Sequence, residues 1–137
     1  MNVLVIGDSC KDVFIYGDIE RISPEAPIPV FKPTHEESNG GMAKNVADNV
    51  ESLDMHIHTV TNKNSITKIR FVENRSSQMV LRVDEHDYCD RIDESLLEGL
   101  VKNKFKKPPF GFDSRREDYY DAIIVSDYCK GFLEEED

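Results

Sequence analysis

Two stretches of the sequence bring together residue types that could bind a small polar ligand. Asp8 and Asp12 follow a short apolar run, with Lys11 between them. Gly40-Gly41 precedes a segment with helical apolar spacing, and Asn45 would lie in the first turn of that helix. Glycines let a backbone approach a ligand closely, and a helix N-terminus presents unpaired N–H groups with partial positive charge. A sugar hydroxyl or a phosphate would suit such a pocket, although an ordinary Gly-Gly turn before an amphipathic helix explains the second stretch as well.

The elements that would position these residues are buried strands. Residues 3–6 form a continuous apolar run that ends at Gly7, which is typical of a strand buried on both faces of a parallel sheet. Residues 122–125 repeat this pattern, and residues 55–60 are a third candidate strand. Ligands of α/β proteins lie at the carboxyl ends of such strands. We therefore predict an α/β fold with Asp8 at the functional edge, and no dinucleotide-binding fingerprint follows the first strand.

Residues 13–37 differ from both patterns and predict a small β flap. Short strands are expected at 13–16 and 28–31, because the prolines of this region exclude a helix and confine strands to sheet edges. The apolar side chains that would then need cover are Phe14, Tyr16, Ile28 and Phe31. A partner subunit, a ligand or the rest of the same domain could supply that cover.

The second half of the chain contains two further strands and an acidic connection. Residues 66–73 and 78–84 are predicted strands joined by the polar turn 74–77. The acidic stretch 84–94 lacks the glycine and the final glutamate of a calcium-binding loop. We expect it to be a solvated connection that leads to a helix capped near Asp93.

Composition excludes several classes of partner. The 137-residue chain has a net charge of −10, which disfavours nucleic acid and anionic membranes as partners. No apolar run is long enough to span a bilayer. The three cysteines (Cys10, Cys89 and Cys129) form neither a disulfide framework nor a zinc pattern, so we expect a cytoplasmic location. His56 and His58 would share one strand face, but without a third ligand nearby we expect them to face solvent and predict no metal site.

Taken in order, several segments resemble the ribokinase-like (PfkB) carbohydrate kinases. Residues 5–8 followed by Asp12, and Gly40-Gly41 followed by Asn45, resemble the first segments of that family. A more specific match covers residues 16–30, which resemble the lid of heptose 7-phosphate kinases, the kinase half of the bifunctional enzyme that makes ADP-heptose. Residues 66–70, 78–84 and 126–131 are similar to later segments of the same enzymes. The resemblance extends over nearly the whole chain.

The resemblance implies roles for particular residues in binding a phosphorylated sugar. Asp12 would bind sugar hydroxyls, Gly40-Gly41 would allow close approach, and Asn45 would donate or accept a hydrogen bond to the sugar. Arg75 or Lys130 would contact the substrate phosphate, a role that suits both cations. Each also has a structural interpretation: a turn cap for Asp12, a helix-surface amide for Asn45, and solvated charges for the two cations.

Two departures from the family limit what the resemblance implies. There is room for only one short strand between the helix ending near Leu53 and Thr67, where the family has a further helix and strand. The chain also ends soon after Lys130-Gly131, before the family's ATP site and its Gly-Ala-Gly-Asp motif with the catalytic base. We therefore expect a single truncated ribokinase-like domain over 1–137, with a partial Rossmann-like sheet and a β lid at 13–37.

The expected function follows from that reduced inventory. The resemblance implies a kinase acting on D-glycero-D-manno-heptose 7-phosphate with ATP and Mg²⁺, whereas we expect this chain to carry the sugar site, no catalytic residue and no cofactor of its own, and to be inactive alone. Alternatives are a non-catalytic sugar-phosphate-binding or assembly protein, or one half of a split kinase whose C-terminal half is a separate chain. A homodimer joined through residues 13–32 is also expected.

Overall fold

The computed structural model describes residues 1–104 and 120–134, and it has an α/β fold with two sheets. In chain order the elements are β1 (Asn2–Gly7), β2 (Ser9–Ile22), β3 (Pro29–Met42), α1 (Ala43–Glu51), β4 (His56–Thr61), β5 (Ile66–Glu73), β6 (Met79–Glu85), α2 (Glu94–Lys104) and β7 (Ala122–Ser126). The predicted α/β class is confirmed.

The first sheet, called the core sheet below, has the parallel order β4-β1-β7. Its central strand is buried on both faces, as the apolar run predicts. Val3 and Val5 pack with Ala43 and Ala47 of α1 on one face. Leu4, on the other face, packs with Leu100 of α2 and with Tyr120. Helices therefore cover both sides of the sheet, which explains why β1 alternates no polar residues with its apolar ones.

The second sheet, called the lid sheet below, has the order β3-β2-β5-β6. Strands β2 and β3 are antiparallel neighbours, β5 runs parallel to β2, and β6 is antiparallel to β5. Both connections between successive core strands contribute to it, since β2 and β3 lie between β1 and α1, and β5 and β6 lie between β4 and α2. The sequence predicts strands 66–73 and 78–84 correctly to within a residue.

The predicted flap strands are too short. Residues 13–16 and 29–31 are parts of two strands of 14 residues each, and Ile28 lies just before the second strand. Prolines do not interrupt β3 because it is the edge strand of the lid sheet, where a missing N–H removes no hydrogen bond to a further strand.

The lid sheet has one polar and one apolar face, because successive side chains of a strand point in opposite directions. The paired residues of one face, called the polar lid face, are Asp12, Lys68 and Asp84 in one row and Phe14, Arg70 and Arg82 in the next. The opposite, apolar lid face has rows of Val13, Ile69 and Val83 and of Ile15, Phe71 and Leu81. Phe31 joins this second face, since its ring meets that of Phe71 edge to face at 5.4 Å.

The helices follow the sequence predictions with two corrections. The apolar spacing of residues 42, 46, 50 and 53 would place Leu53 on the buried face of α1, but the helix ends at Glu51, and Leu53 lies in the following turn and is 64% exposed. Helix α2 begins after Asp93, whose Oδ1 accepts the backbone N–H groups of Ser95 and Leu96, which confirms the predicted cap. The apolar spacing of residues 96, 97, 100 and 101 would place Leu96 on the inward face of α2, but Leu96 is exposed. Among the described residues no helix has the length and apolar character needed to cross a membrane.

Candidate ligand site on the polar lid face

Asp12 and Arg70 form an ion pair at the centre of the polar lid face. Arg70 Nη1 donates to Asp12 Oδ1 at 2.6 Å, and the two side chains are only 22% and 19% exposed. The guanidinium carbon of Arg70 also lies 5.1 Å from the centre of the Phe14 ring, which supports it from below. Every donor to Asp12 among the described residues contacts Oδ1. The second oxygen, Oδ2, is therefore available to accept a hydrogen bond from a ligand hydroxyl.

Gly41 lies directly against that second oxygen. It pairs with Cys10 across β2 and β3. A Cβ at position 41 would overlap Oδ2 of Asp12 and would come 2.5 Å from Sγ of Cys10. Only glycine fits there, so the structure brings Asp12 and Gly41 together, whereas Gly40 is backed by the side chain of Lys44.

The other candidate residues are more widely placed. Asn45 is exposed on α1, where its carbonyl oxygen accepts a hydrogen bond from Asn49, and no described contact joins it to Asp12. Arg75 lies in the β5–β6 turn, beyond the end of β5, about 16 Å or more along the strand from Lys68. It stands apart from the cluster around Asp12. Lys130 is closer, and its Nζ donates to Asp87 Oδ2 at 2.7 Å.

Asp8 has a structural role rather than the ligand-binding position that the strand pattern predicts. Its side chain is fully buried, and Oδ2 accepts the backbone N–H groups of Tyr128 and Lys130 at 2.7 and 3.3 Å. Oδ1 accepts the N–H of Phe132 at 3.3 Å and faces Sγ of Cys89 at 3.5 Å. Asp8 thus holds the loop after β7 in place. Lys11 is exposed and alternates with Asp12 on β2, so it lies on the opposite face of the lid sheet.

Several charged residues of the site were not singled out from the sequence. Arg82 binds Asp84 with two hydrogen bonds of 2.6 Å each. The hydrogen bond from Arg82 lowers the pKa of Asp84, and the positive charges of Lys68 and Lys130 lower it further. A signal was available: Lys68 and Arg70, like Arg82 and Asp84, are two residues apart in predicted strands and so share a face.

The two buried thiols near the site are held in the neutral form. The pKa of Cys89 is raised to about 11, mainly by burial and secondly by its hydrogen bond to Asp8. Burial and the nearby charge of Asp12 raise the pKa of Cys10. Among residues 1–104 and 120–134, no three histidine, cysteine or acidic side chains are grouped so that they could hold a metal ion.

Similarity to known proteins, rather than the geometry of this site, identifies the chain as sugar-kinase-like. No family model matches the chain. It is 31% identical to the bifunctional protein HldE of Vibrio cholerae serotype O1, over 97% of this chain and 31% of that protein. The identity to HldE of Hyphomonas neptunium is 34% over 96% of the chain, and to HldE of Helicobacter pylori 30% over 97%.

These alignments confirm the resemblance predicted from the sequence: the chain is related to HldE and is a homologue of PfkB-like kinases. It spans about a third of the length of these relatives. A solved structure of a carbohydrate kinase from Agrobacterium tumefaciens matches 63% of this chain and 36% of that chain with 16% sequence identity. Its TM-score is 0.33, too low to add to the argument.

Proposed function

We propose that the polar lid face binds a phosphorylated sugar of the heptose 7-phosphate class and presents it as the acceptor of a phosphoryl group. The observation that carries this proposal is the Asp12–Arg70 pair beneath Gly41. Arg70 fixes one carboxylate oxygen of Asp12, and the other lies against Gly41 and has no hydrogen-bond donor among the described residues. A carboxylate held in this way can accept hydrogen bonds from sugar hydroxyls with little loss of side-chain freedom.

Aromatic side chains beside Asp12 would cover the apolar side of a sugar ring. Tyr16 stacks on His35 with ring centres 4.6 Å apart, and Phe14 lies next in the row at 6.5 Å from Tyr16. Ligand sites typically combine such apolar surfaces with a few well-placed polar groups. On this proposal residues 1–137 form a single ribokinase-like domain with the lid sheet as its cover.

Phosphoryl transfer depends mainly on positioning the attacking hydroxyl and stabilising charge. The residues described here support the acceptor side of such a reaction. Two alternatives share the same site: a protein that binds a sugar phosphate without catalysis, and one half of a kinase that is completed by a second chain.

A ligand-binding experiment tests the proposed site. D-glycero-D-manno-heptose 7-phosphate should raise the melting temperature of the chain, because a ligand that binds only the native state stabilises it by mass action. Asp12→Asn should abolish the shift. The matched control is Asp18→Asn, because Asp18 lies on the same strand and accepts a hydrogen bond only from Asn74 among the described residues. An equal shift in wild type and Asp12→Asn would remove Asp12 from the site.

A turnover assay separates the alternatives. Wild-type chain with the sugar phosphate and Mg-ATP would transfer phosphate if it is a kinase by itself. Binding without turnover would favour the non-catalytic or split-kinase alternative. Turnover with no dependence on Asp12 would contradict the proposed acceptor site.

We also propose that the apolar lid face joins two copies of the chain. Leu81 and Val83 are 54% and 36% exposed on that face. Phe31 lies there too, but Phe14 is on the polar face beneath Arg70, so the four apolar residues predicted to need cover do not form one surface. Apolar rows at the centre of a sheet face are the kind of surface that a partner subunit covers.

A further inference from the structure

Lys68 is a largely buried lysine whose ammonium group has no ion-pair partner among the described residues. It is only 8% exposed, yet lysine is rarely buried unless it is paired. Among the residues that the structure describes, it makes no hydrogen bond or ion pair, its Nζ lies 5.9 Å from the centre of the Tyr128 ring, and its charge acts on Asp84 at longer range. No buried side-chain nitrogen of the described residues lacks a hydrogen-bond partner, so the unpaired ammonium of Lys68 is the part of this residue that keeps contact with solvent, from which a ligand can approach it.

The neighbouring cations of the site are all paired. Arg70 binds Asp12, and Lys130 binds Asp87. Arg82 donates from Nε and Nη2 to the two carboxylate oxygens of Asp84. Of these four cations, Lys68 is the one that has no carboxylate within ion-pair distance among the described residues. The buried carboxylate of Asp8 is not available to Lys68, because it already accepts three backbone N–H groups.

The position of Lys68 directs its charge into the candidate site. It lies opposite Asp12 in β2 and opposite Asp84 in β6, so it shares the polar lid face with both. Its Nζ reaches towards Tyr128, which belongs to the loop that Asp8 holds after β7. Lys68 therefore connects the lid sheet to the carboxyl edge of the core sheet, beside Asp12.

We propose that Lys68 is the anchor for the phosphate group of the ligand, and that Arg75 and Lys130 do not have this role. The assignment rests on the proposed sugar-phosphate site. A phosphate monoester would supply the missing counter-charge and several acceptor oxygens to a group that protein atoms leave unsatisfied. Asp12 would hold the hydroxyl end of the same ligand, since the two side chains are cross-strand neighbours.

The test compares phosphorylated and unphosphorylated ligands on three variants. Lys68→Met keeps the side-chain length without charge, Lys68→Arg keeps the charge, and Lys63→Met removes a charge from an exposed position. Calorimetry would measure binding of heptose 7-phosphate, of the unphosphorylated heptose, and of inorganic phosphate. Lys68→Met should lower the affinity for the phosphorylated sugar about 10- to 100-fold, which is the range for loss of a charge-assisted hydrogen bond. It should leave the affinity for the unphosphorylated sugar unchanged.

Two further measurements distinguish a phosphate-binding role of Lys68 from a purely structural one. Because Lys68 makes no described hydrogen bond or ion pair, Lys68→Met should not lower the melting temperature of the unliganded chain, and Lys68→Arg should restore part of the phosphate affinity. The assignment would be overturned if Lys68→Met weakened the binding of the phosphorylated and the unphosphorylated sugar equally, or if the Lys68→Met chain did not fold.

The outcomes also separate this assignment from the proposed function. If the phosphate-dependent gain in affinity is the same in wild type and Lys68→Met, the assignment is wrong while the sugar site stands. If neither sugar binds but inorganic phosphate binds in a Lys68-dependent manner, the anion site stands and the proposed function is wrong. If wild type binds neither phosphate nor the sugar phosphate, both are wrong.

Discussion

The core sheet and the lid sheet differ in what their side chains face. In β1 of the core sheet, residues Val3 to Ile6 are at most 4% exposed, and helices cover both faces. In the lid sheet, every residue of β6 is exposed, and one face carries ion pairs in place of an apolar layer. Burial therefore determines the residue types of β1, whereas the side chains of the lid sheet form one polar and one apolar face, for which we propose a ligand and a second copy of the chain.

Two aspartates, four positions apart, show the same contrast. Asp8 is completely buried and bonds only groups of its own chain, so it belongs to the architecture of the core sheet. Asp12 is partly exposed and has one oxygen held by Arg70 and the other beside Gly41. The five predictions below test this division between a structural sheet and a binding sheet.

The largest effect is expected from removing the Asp8 carboxylate. Asp8→Ala would leave the N–H groups of Tyr128, Lys130 and Phe132 without their acceptor, so we expect a loss of roughly 3–6 kcal/mol in the free energy of unfolding. Urea unfolding measures it. Asp90→Ala is the control, because Asp90 is exposed and a substitution there should change stability by less than about 0.5 kcal/mol. A stable Asp8→Ala chain that loses only ligand binding would place Asp8 in the ligand site instead.

The apolar lid face is tested by charging it. Leu81→Asp/Val83→Asp places two carboxylates on that face and should weaken a dimer by about 100-fold or more, the range for central interface residues. Sedimentation across a range of concentrations measures this. Phe14→Asp is informative as the contrast, since Phe14 lies on the polar face and its substitution should spare the dimer while disturbing Arg70. A monomeric wild type, or a dimer unaffected by the double substitution, would exclude this face as the interface.

A methyl group at Gly41 should disturb the ligand site more than the core. Gly41→Ala drives a Cβ into Asp12 and Cys10, so β3 must shift, at a cost of about 1–3 kcal/mol. Gly99→Ala is the control and should stabilise the chain. A Cβ at position 99 would meet nothing within 4 Å, and alanine is favoured over glycine in a helix by about 0.5–1 kcal/mol. Thermal unfolding of both variants should move in opposite directions. Equal changes would mean that Gly41 is not packed against Asp12.

The cysteines provide a chemical test of burial. Cys129 is exposed, whereas Cys10 and Cys89 are buried, so a thiol reagent should modify Cys129 first. Because the folded pKa of Cys89 is raised to about 11 from 9.0, the folded chain retains a proton that the unfolded chain releases between these values. Its contribution to stability is present below pH 9.0 and is lost as the pH rises towards 11. Cys89→Ser should flatten that alkaline decline, and a decline of the same size would contradict the assignment.

Part of the core sheet could be predicted from the sequence, because the continuous apolar run at residues 3–6 reflects burial on both faces. The run at residues 122–125 also predicts a strand correctly, but Val125 is 61% exposed, so this run does not reflect complete burial. The polar lid face could not be predicted in the same way. Arg70 reaches Asp12 across 58 positions of sequence, and local patterns carry no information about a parallel pairing of β2 with β5. The different roles of Asp8 and Asp12 were also not visible, since both follow the same strand and differ only in the elements that later pack against them.

The smallest effect is expected from removing the Asp93 cap of α2. This cap lies outside both sheets, and its removal tests how far α2, which covers one face of the core sheet, depends on it. Hydrogen bonds from Ser95 and from the backbone N–H groups of Leu96 and Ser95 lower the pKa of Asp93 below its ordinary value of 3.8. A depressed carboxyl pKa contributes stability that is present above 3.8 and is lost as the pH falls through the folded value. Asp93→Ala should therefore lower the melting temperature slightly at neutral pH, and the difference from wild type should vanish in acid.

The capping interaction is lost on protonation in the same way that it is lost on substitution, because both remove the charged acceptor. Helical circular dichroism followed during an acid titration measures both effects, and Asp90→Ala again serves as the exposed control. A difference that persists unchanged in acid would mean that Asp93 stabilises α2 through packing rather than through its charged, hydrogen-bonded carboxylate.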